Sequence, residues 1–82
     1  MKIVWDEPKR LANLAKHGLD FADLSETFFL AAKVGPAKHH RFIAIGMLDD
    51  GTVAVIFVVL GLEGLSVISM RPASAKERRA LP

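Results

Sequence analysis

At 82 residues the chain is long enough for one domain with one modest core, and residues 1–82 are read as a single unit. It has no cysteine, which excludes a disulfide framework and a thiolate metal site and fits a reducing compartment. A net charge of +2 and a pI of about 9.3 are too mild to establish nucleic-acid binding from the total alone.

The distribution of charge says more. From Arg71 onward, Arg71, Lys76, Arg78 and Arg79 stand against Glu77 alone, a local +3 that exceeds the +2 of the whole chain. Residues 1–7 turn acidic before any apolar stretch forms, so no secretory signal is expected and the chain is placed in the cytoplasm. The longest apolar run, residues 53–62, is interrupted by Gly61 and falls well short of the roughly 18–20 residues that span a bilayer. A buried strand is expected there, and no membrane association.

In chain order, Lys2 to Trp5 alternates like a short strand, with Ile3 and Trp5 on one face and Trp5 at the core or its rim. Asp6-Glu7-Pro8 predicts a helix start, with Asp6 as cap and proline tolerated in the first turn. The helix is predicted to run to about Lys16. Leu11, Leu14 and Ala15 form its apolar face, with Lys9, Arg10, Asn13 and Lys16 pointing elsewhere. Gly18 ends it, and Lys16 and His17 suit the C-terminal end of its dipole.

Asp20 reads as the cap of a second helix reaching about Phe29, with Leu24, Thr27 and Phe28 on one face. The pair has a helix-turn-helix outline, but neither helix carries a row of base-reading Arg, Asn and Gln. After the Gly35-Pro36 turn region, where a short strand fits residues 31–34, three strands are predicted at 39–48, 52–60 and 65–70. Asp49-Asp50-Gly51 and residues 61–64 join them into an antiparallel meander. The middle strand is apolar on both faces, so the helices cover one side and something else, such as a partner chain, covers the other. Arg71-Pro72 keeps Arg71 extended at the strand's end with its guanidinium at the sheet rim, available for an anion. Ser74 and Glu77 then have the spacing of a capping box, which starts a short basic helix. The fold class is therefore α+β: a short N-terminal strand, two helices, a meander of three or more strands and a C-terminal helix.

Little in this inventory supports metal or acyl chemistry. His39 and His40 are neighbours on a predicted strand and point to opposite faces, and no HxxxH or HxH pair exists. Residues 61–64 lack the lysine and hydroxyl of a phosphate loop. The remaining pattern is a set of cations able to converge: Lys16 and His17 at a helix end, Arg41 at one strand's start and Arg71 at another's end. Metal-independent RNA cleavage needs a base for the 2′-hydroxyl proton, cations for the charge on phosphate and an acid for the leaving oxygen. Histidine and arginine supply those roles. The plain alternatives are a solvated cationic rim, His17 as a helix cap, Glu77 as a cap or salt-bridge partner and the aromatics as packing.

Trp5-Asp6-Glu7-Pro8-Lys9, Asn13, Lys16-His17-Gly18, Phe21, Arg41-Phe42, Gly46, residues 68–73 and Glu77-Arg78 together resemble the BrnT-type toxins of bacterial type II toxin–antitoxin modules, over nearly the whole chain. The resemblance implies a RelE-like ribonuclease that needs no metal or other cofactor and inhibits translation by cutting RNA. It also implies a BrnA-like ribbon-helix-helix antitoxin that neutralises the toxin, holds two toxin chains in a 2:2 heterotetramer and represses the shared operon by binding operator DNA. The matching positions are Lys16, His17, Arg41, Arg71 and Arg78. Departures from the family pattern are His40 in place of an acid, Leu65-Ser66 in place of a basic strand start, and Met70 in place of a small residue.

Two functional expectations follow from different classes. In the first, His17, Lys16 and Arg71 are catalytic, while Arg41, Lys76, Arg78 and Arg79 hold the RNA backbone. In the second, the chain is a catalytically weak or inactive interaction protein that acts as an antitoxin-bound co-repressor. A free-standing nucleic-acid-binding module ranks behind both.

Overall fold

The computed structural model describes every residue except Asp50, Leu81 and Pro82. Strands β1 (Lys2–Trp5), β2 (Lys33–Pro36), β3 (Phe42–Leu48), β4 (Gly51–Leu60) and β5 (Gly64–Pro72) form one five-stranded sheet in the order β1-β5-β4-β3-β2. The meander β3-β4-β5 is antiparallel, as expected, and β2 extends it antiparallel beyond β3. At the other edge β1 pairs parallel with β5, so the sheet is mixed. The turn expected at Asp49-Asp50-Gly51 includes Asp50, which lies outside the described residues.

One face of the sheet carries the core. Val53, Val55 and Phe57 of β4 alternate inward and meet Leu65, Val67 and Met70 of β5 and Ala44 of β3. Phe21, Leu24, Phe28 and Phe29 cover them from the helical side. On the opposite face Ile45 and Ala54 pack with Ala73, where the chain enters helix α3 (Ala75–Arg79). The cover expected over the second face of β4 is thus supplied in part by the chain's own C-terminal segment.

Inward alternation is interrupted in β5. Phe57 pairs with Val67 and Ile56 with Ser69, so Ile68 has no partner and forms a bulge. Before the bulge Leu65 and Val67 face the core, and after it Met70 does, fully buried. Simple alternation from Leu65 and Val67 would instead have sent Ser69 and Arg71 inward. The extra residue turns Arg71 to the face opposite the core.

Helix α1 (Glu7–His17) has the expected length and ends at Gly18, whose φ of 69° lets its N–H reach the Leu14 carbonyl. Its expected inner face is reversed. Leu11 and Leu14 are 52% and 37% exposed, whereas Asn13 is buried. The reason is backbone accounting: β1 stops at Trp5, so the continuing edge of β5 needs another partner, and Asn13 Oδ1 accepts from Met70 N at 3.0 Å. Leucine has no group to offer there. Asp6 sits at the N-cap without a side-chain capping bond, and Glu7 instead takes the Trp5 indole at 3.0 Å and Arg10 at 2.7 Å through each oxygen. Arg10 also reaches both oxygens of Asp20 at 3.1 Å, fastening α1 to the following turn.

The second helix expected from residue 20 is split. Asp20 caps a 3₁₀ turn at Phe21–Asp23, and Ser25 caps a separate helix α2 (Glu26–Ala31). Each cap offers its own side-chain oxygen to a free N–H, and that local competition breaks the helical run at Leu24.

Candidate nucleic-acid interface

The strand end that carries Arg71 is built by two devices, the Ile68 bulge and the cap of α3. Both halves of the capping box form: Ser74 Oγ accepts from Glu77 N at 3.1 Å, and Glu77 Oε1 accepts from Ser74 N at 2.8 Å. The same carboxylate grips Arg71, with Nη1 donating to Oε1 at 2.7 Å and Nη2 to Oε2 at 2.8 Å. Arg71 Nη1 also donates to Pro72 O at 3.3 Å. Arg71 is therefore not the unengaged cation expected from the sequence; one end of its guanidinium already holds a carboxylate. The pair lowers the Glu77 carboxyl from its ordinary 4.5 to about 2, with the Ser74 N–H adding to the effect, and raises the Arg71 pKa further.

The other cations divide into two sets. Arg78 Nη1 donates to Ala73 O at 3.0 Å, and Lys33 Nζ donates to Ala80 O at 3.2 Å; both tie the C-terminal segment down. Lys76 and Arg79 are exposed on α3, and among the described residues neither side chain forms an ion pair or hydrogen bond. Arg41 stands apart. Its carbonyl accepts from Ala37 N and its N–H donates to Lys38 O, closing the β2–β3 hairpin. Ile45 lies opposite Ala54, which faces Arg71, so Arg41 is about 13 Å along the strands and about 10 Å across them from Arg71.

His39 and His40 are not strand residues. With φ of 61° and 59°, they occupy the two central positions of a type I′ turn, and β3 begins only at Phe42.

Lys16 and His17 close α1, three and four residues beyond Asn13 on the side of the helix turned to β5. Because Asn13 is bonded to Met70 N, the next helical turn comes level with Arg71-Pro72. Gly18 and Pro72 share the wall of a depression of about 420 Å³ that also includes Asp23, Asp49 and Thr52. The two cationic groups thus reach the same end of the sheet, but Arg71 leaves on the far face towards Glu77. Among the described residues no hydrogen bond or ion pair joins Lys16 or His17 to Arg71 or Arg41. Asn13, which sets this register, was missed in the sequence because a polar residue within an amphipathic helix reads as solvent-facing.

An apolar groove of about 580 Å³ lies at the opposite end of the sheet, lined by Phe29, Val34, Phe57, Val59 and Leu62. Among the described residues no three His, Asp or Glu side chains gather as metal ligands, and no helix is long and apolar enough to cross a membrane.

Residues 5–77 match the family model described as the ribonuclease toxin BrnT of type II toxin–antitoxin systems. The crystal structure of the Brucella abortus ribonuclease toxin BrnT superposes with a TM-score of 0.85 at 63% identity, covering 90% of this chain and 97% of that one. No curated protein matches the chain.

Proposed function

Because the chain belongs to the BrnT family of ribonuclease toxins of type II toxin–antitoxin systems, we propose that it is itself an endoribonuclease that cleaves RNA without a metal, at the rim where α1 ends beside β5. The observation that carries this reading is the Asn13–Met70 hydrogen bond, which registers the Lys16-His17 turn against the strand end bearing Arg71. His17 serves as general acid or base in the attack of a 2′-hydroxyl on the neighbouring phosphorus. Lys16, beside His17, stabilises the charge gathering on the attacked phosphate, and Arg71 meets the charge of the same RNA strand where it crosses to the other face of the rim. Lys76, Arg78, Arg79 and the more distant Arg41 hold the RNA backbone on either side. Imidazole and guanidinium groups cover proton transfer and charge stabilisation, so the scheme needs no metal.

In the cell the chain acts as a toxin, in the cytoplasm, held in check by a cognate antitoxin. That partner is a BrnA-like ribbon-helix-helix protein whose dimer carries two toxin chains and represses their shared operon. Expression of the chain alone is expected to halt growth and protein synthesis, and co-expression of the antitoxin to restore both. Normal growth while folded protein accumulates would contradict the toxin reading.

One observation favours a second reading. Arg71 and Arg78 already satisfy protein acceptors, as expected of a catalytically silent chain that serves only as antitoxin-bound co-repressor. On that reading the antitoxin complex forms and represses, yet the purified chain leaves RNA intact.

A further inference from the structure

Glu77 performs three tasks with one carboxylate. It completes the cap of α3, it neutralises a cation, and it fixes how that cation is oriented. A guanidinium offers five N–H groups on two forked edges and one remaining position. Glu77 takes the edge between Nη1 and Nη2, and Pro72 O takes the second Nη1 hydrogen. What is left is the edge formed by Nε and the inner hydrogen of Nη2, which among the described residues has no acceptor. The Arg71 side chain is 40% exposed and that of Glu77 only 19%, so the carboxylate sits behind the guanidinium relative to solvent.

Neither partner is free to drift. Arg71 is carried by β5 just past the bulge, and Glu77 is held by Ser74 through both halves of the capping box. We propose that Glu77 is a positioning residue for Arg71: by occupying the end of the guanidinium, it presents the Nε/Nη2 fork to a single phosphate of bound RNA. The inference rests on the ribonuclease reading and adds to it the edge of Arg71 that meets the substrate and the residue that selects that edge. A forked donor pair matches two phosphate oxygens, which a lysine at the same position cannot do.

The test uses the purified full-length chain, a labelled single-stranded RNA, metal-free buffer and thermal melts of every variant. Glu77→Gln keeps a carbonyl oxygen for the Ser74 N–H but loses the second acceptor for Arg71, so it is expected to lower kcat/KM roughly tenfold while melting within a few degrees of wild type. In an Arg71→Lys background the same change is expected to alter cleavage by less than about twofold, because its effect runs through the fork. Equal cleavage by Glu77→Gln and wild type, or an undiminished loss in the lysine background, would overturn the proposal while leaving the ribonuclease intact. A wild-type chain that cuts nothing would remove the ribonuclease reading and this inference together. If Glu77→Gln does not fold, Glu77→Asp decides: it keeps the charge but draws the carboxylate back from the end of the guanidinium, so full activity in the folded variant overturns the proposal, and a loss that shrinks in the Arg71→Lys background supports it.

Discussion

Asn13 is the residue on which the proposed site depends most, although it touches no cation. Its side chain accepts from Met70 N at 3.0 Å and donates to Leu19 O at 3.2 Å, joining α1 to β5 and to the turn after Gly18. Asn13→Ala leaves the buried Met70 N–H without an acceptor and is expected to cost about 1–3 kcal/mol in a urea unfolding experiment. Cleavage by the folded fraction should also fall, because the Lys16-His17 turn loses its register against Arg71. The Arg71–Glu77 pair gives a pH signature. With the Glu77 carboxyl held at about 2 in the fold, below its ordinary 4.5, the pair contributes its full stabilisation above pH 4.5 and loses it as the pH falls towards 2. Because the pair is part-exposed, wild type and Glu77→Gln should differ in melting temperature by only a few degrees at pH 7 and converge near pH 2. A difference that stays constant over that range would detach the pair from acid sensitivity.

At the scale of elements, close approach and turn geometry set two expectations. A Cβ on Gly46 would lie 3.1 Å from Phe28 Cε1 and 3.2 Å from Ala32 Cβ, tighter than ordinary contact, so the bare position lets α2 and its C-cap residue sit close on β3. Gly46→Ala is expected to destabilise the fold by about 1–3 kcal/mol, read as a lowered melting temperature. The β2–β3 hairpin offers the reverse. Both central turn residues are histidines at positive φ, a conformation that asparagine and glycine adopt with less strain. Replacing His39-His40 by Asn-Gly should raise stability by about 1 kcal/mol without altering the sheet. These elements also show what the sequence disclosed. The unbroken apolar run from Val53 to Leu60 identified β4, and Ser74 with Glu77 identified the start of α3, because each pattern maps directly onto local geometry. The inner face of α1 was not legible, since Leu11 and Leu14 satisfy helical periodicity while the edge of β5 asks for an amide. The turn at His39-His40 carried no glycine or asparagine to announce it.

Over the whole molecule, the C-terminal cations and the end of α1 meet the sheet at one end, while an apolar groove occupies the other. The family resemblance was legible from Lys16-His17-Gly18 and the tail around Arg71. The direction in which Arg71 points was not. Nothing in residues 65–72 marks Ile68 as a bulge, and that single unpaired residue decides which face the guanidinium takes. The cations named from the sequence accordingly fall on two sides of a rim, with an RNA strand passing over it as the proposed link. The most direct measurement incubates the purified chain with a labelled single-stranded RNA in excess EDTA and examines the ends of the products. The expected result is discrete fragments ending in 2′,3′-cyclic phosphate, the product of 2′-hydroxyl attack, with cleavage lost in His17→Ala. RNA that stays intact, or is cut only when a divalent metal is restored, would contradict the reading.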